Sequence, residues 1–87
     1  MDLLQLNYVV AIADSDSVTQ AAERLHISQS ALSLSYKRLQ EELGVQLFQR
    51  QGRRLVLTDA GTFFCRTASM ILGHIDKLTY DMSTIRG

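Results

Sequence analysis

No proline, a single cysteine and no net charge mark this chain of 87 residues, and each scarcity removes a class of function. One cysteine forms no internal disulfide, so the chain fits a reducing compartment rather than a disulfide-stapled secreted scaffold. No apolar run is long enough to span a bilayer, and residues 1–20 carry no charged segment ahead of their apolar positions, which excludes a membrane span and a secretory signal. The absence of proline, only five glycines and 46% hydrophobic content describe a soluble, helix-rich domain. A chain this short buries about 60% of the surface its unfolded form exposes, which leaves little core for an enzyme cleft.

The neutral balance of nine basic against nine acidic residues argues at first against nucleic acid, whose binders carry basic excess to displace counterions. Its distribution argues the other way. Residues 1–36 set Asp2, Asp14, Asp16 and Glu23 against Arg24, a net −3. Residues 37–66 set Lys37, Arg38, Arg50, Arg53, Arg54 and Arg66 against Glu41, Glu42 and Asp59, a net +3, and the remainder balances. A local basic face is therefore expected.

Residues 17–39, SVTQAAERLHISQSALSLSYKRL, carry most of the information. Val18, Ala21, Ala22 and Leu25 make one helical stripe, and Leu32, Tyr36, Leu39 and Leu43 a second, with His26, Ile27 and Ser28 between them. Ser17 with Gln20 reads as a capping box, Ser28 as an N-cap, and Gly44 as a C-terminal stop. Two short helices around a tight turn, with small Ala21 and Ala22 permitting a close crossing, form a helix-turn-helix. A preceding helix over Asp2–Ala13 is predicted from Leu3, Leu6, Val10 and Ala13, with Leu4, Val9 and Ile12 widening its face. Residues 14–17, DSDS, end it. After Gly44, VQLFQ, RQGRR and LVLT read as two short strands around a glycine turn, a wing bearing three arginines. Thr58 then caps a long helix.

In that helix Phe64, Ala68, Ile71, Ile75, Leu78, Met82 and Ile85 are spaced 4, 3, 4, 3, 4, 3. The first turn, around Phe63 and Phe64, is expected to fold back on its own domain. Beyond Ile71 nothing else in the chain covers the stripe, and soluble monomers avoid bare apolar patches of that size, so a homodimer is predicted through Ile71, Ile75, Leu78, Met82 and Ile85.

On the second motif helix, Ser30, Ser33, Leu34, Lys37 and Glu41 lie opposite the Leu32 stripe, with Gln29 at the N-terminal edge. If this helix enters a major groove, Gln29 and Ser30 reach base edges, where glutamine pairs bidentately with adenine, while Ser28 and Ser33 suit phosphate. Leu34 either touches a thymine methyl or is an isolated surface leucine, and the pattern does not choose. A merely solvated face is the competing reading, weakened by short uncharged side chains where surface helices usually carry Glu, Lys or Arg. Glu41 and Glu42 repel phosphate and mark where the helix leaves the duplex. In the wing, Arg53 and Arg54 suit a minor groove or the backbone, and Arg50 a strand-pairing role. Cys65 reads as a small buried hydrophobe; His26 and His74 have no companions at metal-ligand spacing; no nucleophile, base and orienter set is present. No catalytic residue, metal or cofactor is expected.

With these residues in view, the chain resembles the DNA-binding domain of LysR-type bacterial transcriptional regulators over residues 2–66. The resemblance rests on Ser17, Thr19, Ala21, Ala22, the run Leu25–Ser33, Leu39, Glu42, Leu43, Gly44, Leu47, Phe48, Arg50 and the run Leu57–Gly61. It implies a mainly α winged helix-turn-helix (three-helix core, two-stranded wing) over 1–61, followed by a dimerising linker helix over 62–87. It implies a cytoplasmic homodimer on interrupted palindromes in promoter DNA, and no membrane partner. In the family, Gln29, Ser33 and Arg53 match positions that commonly touch DNA, and together with the reading above the expected DNA-contacting set is Thr19, Ser28, Gln29, Ser30, Ser33, Leu34, Lys37, Arg53 and Arg54. Family members continue into an effector-sensing domain; this chain stops at Gly87 and is read as a DNA-binding fragment in which a small-molecule effector has no site. Ser30 stands where the family usually has proline, Leu34 and Ser35 where arginine and glutamine are frequent, Asp16 for a common glycine and Asp59 for a common glutamate. These departures imply an unusual operator preference. A winged-helix interaction module without DNA is the alternative, which salt-dependent retention on DNA separates.

Overall fold

The computed structural model describes residues 1–87 as four helices and one hairpin: α1 (Leu3–Ala13), α2 (Val18–Leu25), α3 (Gln29–Leu43), β1 (Phe48–Gln51), β2 (Arg54–Leu57) and α4 (Asp59–Arg86). Each helix starts where a side chain satisfies its free amides. Asp2 and Gln5 form a complete capping box on α1, Ser28 accepts from Ala31 N on α3, and Thr58 accepts from Gly61 N on α4. At α2, Ser17 accepts from Gln20 N, but the Gln20 side chain reaches past Ser17 and accepts from Asp16 N at 2.8 Å. The expected box is thus displaced by one residue, and an amide of the DSDS turn receives the bond. α2 ends on His26 in the left-handed region, φ 58°, a conformation usually left to glycine or asparagine.

The core is built where α1, α2 and α3 meet: Val9, Ile12, Val18, Ala21, Ala22, Leu32, Tyr36 and Leu39, closed below the wing by Leu47 and Phe48. Tyr36 and Phe48 meet edge to face at 5.3 Å. Two stripes differ from expectation. On α1 the buried line is Leu6, Val9 and Ile12, while Leu3 and Leu4 are exposed, because no element of the chain lies against the first turn's outer side. On α3, Leu43 is exposed and Gln40 is buried instead, because the chain turns at Gly44 and lays the wing over the Gln40 side of the last turns.

The wing pairs antiparallel with Phe48 opposite Leu57 and Gln51 opposite Arg54. Gly52, φ 65°, supplies the positive φ that the first position of its two-residue loop needs. α4 runs unbroken across residues 61 and 62. Its first turns pack on α1 through buried Ala68 and half-buried Phe64, and its 28 residues extend about 42 Å, most of the molecule's 51 Å long axis.

Candidate nucleic-acid interface

The three-residue turn His26–Ser28 aims the start of α3 outward, and a polar cluster gathers there. Ser28, Gln29 and Ser30 are exposed and Ser33 half-buried, and Leu34 and Lys37 continue the same face in the open. The cluster is internally bonded. Thr19 Oγ1, in the first turn of α2, donates to Gln29 Oε1 at 3.0 Å, and the Ser28 and Ser30 hydroxyls lie 3.3 Å apart. The free amides of the α3 N-terminus add positive potential at this end.

The wing stands beside the other half of α3, held by Gln40. Its buried Oε1 accepts from Leu47 N at 2.8 Å and Phe48 N at 3.1 Å. These amides begin the segment entering β1, so one side chain of α3 sets the height of the hairpin; leaving both amides unpaired in the core costs free energy. Sequence reasoning passed over Gln40 because a glutamine at the edge of an apolar stripe is ordinarily a surface residue, and only the packed hairpin reveals its bonds.

The three wing arginines do not share one face. Arg50 lies opposite Leu55 in the ladder, as its strand-pairing role required; Arg54 is the first residue of β2 opposite Gln51, not a turn residue; Arg53 alone sits in the loop with Gly52. Arg50 shares with Lys37, Tyr36 and Gln46 a cleft between α3 and the wing.

Charge pairing sharpens the picture. The two ion pairs of the chain join the amino group of Met1 to Glu42 and Lys77 to Asp81. Lys37, Arg50, Arg53 and Arg54, on α3 and the wing, therefore have no carboxylate within ion-pairing distance and leave their charges unneutralised by ion pairing. Elsewhere, burial and then the Asp14 carboxylate push the Cys65 thiol up, which keeps it protonated and unreactive. No three His, Cys, Asp or Glu side chains converge as a metal site, and no helix is long and apolar enough to cross a membrane.

A second surface lies on α4. Ile75 is half-buried, and Ile71, Leu78, Met82 and Ile85 are 39%, 59%, 51% and 76% exposed. Phe64 folds back as expected, but Phe63 does not: it points to solvent and, with Met70 one heptad on, widens the bare face. Phe63 and Phe64 lie 100° apart on a helix, so Phe64 reaches the core while Phe63 only edges the domain. An apolar groove between the start of α1 and α4, lined by Met1, Leu6, Phe63, Phe64 and Ile71, adjoins the bare stripe.

A family model described as "Bacterial regulatory helix-turn-helix protein, lysR family" matches residues 3–62. The chain is 42% identical over 78 residues, 90% of its length, to a probable cat1 operon transcriptional activator of Acinetobacter lwoffii, and covers 26% of that protein. It is 40% identical over 87 residues, 97% of its length, to the HTH-type transcriptional regulator PtxR of Pseudomonas aeruginosa, and covers 28% of it. The chain thus spans about a quarter of the length of these curated relatives. Among solved structures, the BenM_DBD/catB site 1 DNA complex superposes with a TM-score of 0.94 at 37% identity, covering 100% of this chain and 97% of that one.

Proposed function

The chain belongs to the lysR family of bacterial regulatory helix-turn-helix proteins, and from that premise we propose that it binds promoter DNA sequence-specifically as a homodimer and so regulates transcription. The observation that carries this reading is the juxtaposition of a short-chained polar helix start, Ser28, Gln29, Ser30 and Ser33, with cations that lack carboxylate partners, Lys37, Arg50, Arg53 and Arg54. The first group matches base edges and phosphates at the mouth of a major groove; the second neutralises backbone on either side. Complexes such as that of BenM_DBD with catB site 1 DNA, similar to this chain over its whole length, support it.

In this reading Gln29 and Ser30 read bases, Ser28 and Ser33 hold phosphate, Leu34 lies against the groove, Lys37 and Arg54 neutralise backbone, and Arg53 enters the minor groove from the wing tip. Residues 1–61 act as the reading domain and 62–87 as the dimerising helix, through Ile71, Ile75, Leu78, Met82 and Ile85. Two-fold symmetry then demands an interrupted palindrome. No catalysis belongs to this reading, and the protein acts in the bacterial cytoplasm, where promoter DNA is.

The test is a pair of substitutions. Gln29→Ala is expected to lose about 1 to 3 kcal/mol of discrimination at one base pair per half-site, whereas Arg53→Ala weakens all duplexes alike and lowers the salt slope by about 1. Fluorescence titration of specific and random duplexes across salt concentrations measures both. Identical losses for the two variants on every duplex would reject the assignment of roles, and no salt-dependent binding by the parent protein would favour a protein-interaction module.

A further inference from the structure

The hydroxyl of Thr19 and the side-chain amide of Gln29 stand ten residues apart in sequence, on different helices, yet are joined at 3.0 Å in the open. Resting on the DNA-reading function above, we propose that Thr19 is a positioning residue, which touches no DNA itself but fixes the amide of Gln29 so that it selects an acceptor-bearing base edge.

The argument is one of donors and acceptors. A hydroxyl has one hydrogen to give, and that of Thr19 goes to Gln29 Oε1. Phosphate oxygens only accept, so Thr19 binds no phosphate while this bond stands. For Gln29 the consequence is orientation. Its amide has an acceptor end and a donor end, and a free glutamine at the first position of a helix presents either by rotating about its side-chain torsions. With Oε1 held by Thr19, the Nε2 amino group is the end left unengaged, and it offers two hydrogens. In the major groove those suit the N7 of a purine, with O6 beside it in guanine, while a second lone pair on Oε1 still accommodates the amino group of adenine. Cytosine presents only an amino donor there, and reaching it requires turning the amide over and breaking the Thr19 bond. Holding the side chain before the duplex arrives also removes rotamer freedom that binding otherwise has to freeze.

Four variants of the 87-residue protein test this: Thr19→Val, which keeps the shape and removes the hydroxyl; Thr19→Ser, which restores it; Gln29→Ala; and Thr19→Val with Gln29→Ala. Each is titrated against duplexes differing at the one base pair where Gln29→Ala loses its preference, with purine or cytosine on the strand read. The parent is expected to prefer purine by about tenfold. Thr19→Val should lose most of that ratio with an unchanged salt slope, Thr19→Ser should recover it, and the double variant should behave as Gln29→Ala alone. If Thr19→Val keeps the full ratio while Gln29→Ala loses it, the positioning role is wrong and the DNA-reading function survives. A uniform weakening with a shallower salt slope makes Thr19 a phosphate ligand and overturns the proposal. A lower melting temperature at an unchanged ratio makes it structural and overturns it equally. Should the parent show no base preference anywhere, the function and this inference fall together.

Discussion

Leu78→Glu combined with Ile85→Glu is expected to make the protein monomeric and to cut its affinity for a two-half-site operator by about 10²-fold or more, the avidity a linked second reading head supplies. The reasoning starts with the 4, 3 spacing from Phe64 to Ile85, which keeps one apolar line along the helix. The structure divides that line. Phe64 and Ala68 are taken up by the domain, while Leu78, Met82 and Ile85 are more than half exposed. Covering each such side chain is worth about 1.5 to 3 kcal/mol, so a partner helix that covers several supplies a dimerisation energy of useful size. Placing a carboxylate in that seam reverses the gain, because a buried unpaired charge is far costlier than a buried leucine is favourable. The only ion pair on this part of α4, Lys77 with Asp81, is intrahelical and solvent-exposed and contributes little to either state. Since both mutated positions are open in the single chain, its own helices should remain folded. Sedimentation equilibrium reads the mass, and circular dichroism checks the helices. A doubly substituted protein that still sediments as a dimer would place the interface elsewhere.

The second large effect is on folding. Gly61→Ala is expected to destabilise the protein by about 3 kcal/mol, at the upper end of what overpacking a tight site costs. The glycine is not needed for its backbone conformation, since its φ is not among the positive ones. It is needed for space: a Cβ there would collide with the backbone carbonyl of Leu47 and crowd Leu57. Neither side yields easily. The Leu47 carbonyl accepts from Thr58 N at 3.0 Å, the Thr58 hydroxyl donates to the Gln46 carbonyl at 2.6 Å, and Leu47 N is held by Gln40. Bonds among Gln40, Gln46, Leu47 and Thr58 thus tie α3, the base of the wing and the start of α4 together. Against a total stability of about 5 to 15 kcal/mol, a loss of this size is a marked drop in the urea midpoint. An unchanged midpoint would show that the α4 start shifts freely against the wing, contrary to this bonding.

The helix-turn-helix was readable because its signals are local: stripes four and three residues apart, capping serines at both starts, and a three-residue turn that leaves the chain one way to fold back. The hairpin was equally local in Gly52, and Arg50 read as a strand residue, though the placement of Arg54 on a strand needed the register. What could not be read depends on which element arrives later in the chain. Gln40 is polar and at a stripe's edge, and it is buried only because residues 46–48 return to it. Leu43 continues the stripe perfectly and is exposed because nothing returns on its side. Leu3 and Leu4 fail in the same way on α1. On α4, spacing identified the apolar stripe, but that Phe64 faces the domain while Phe63 does not is a matter of 100° around the helix, which packing against the core decides. The exposed polar face of α3 was legible as a set of positions, while the Thr19 to Gln29 bond, which spans two helices, was not.

Selection of bound duplexes from a random DNA pool tests the central claim most directly. The account predicts enrichment of two inverted half-sites separated by a spacer, with their centres a whole number of helical turns apart, about 10 base pairs per turn. Recovery of unenriched sequence, or of a single half-site with no inverted partner, would contradict it.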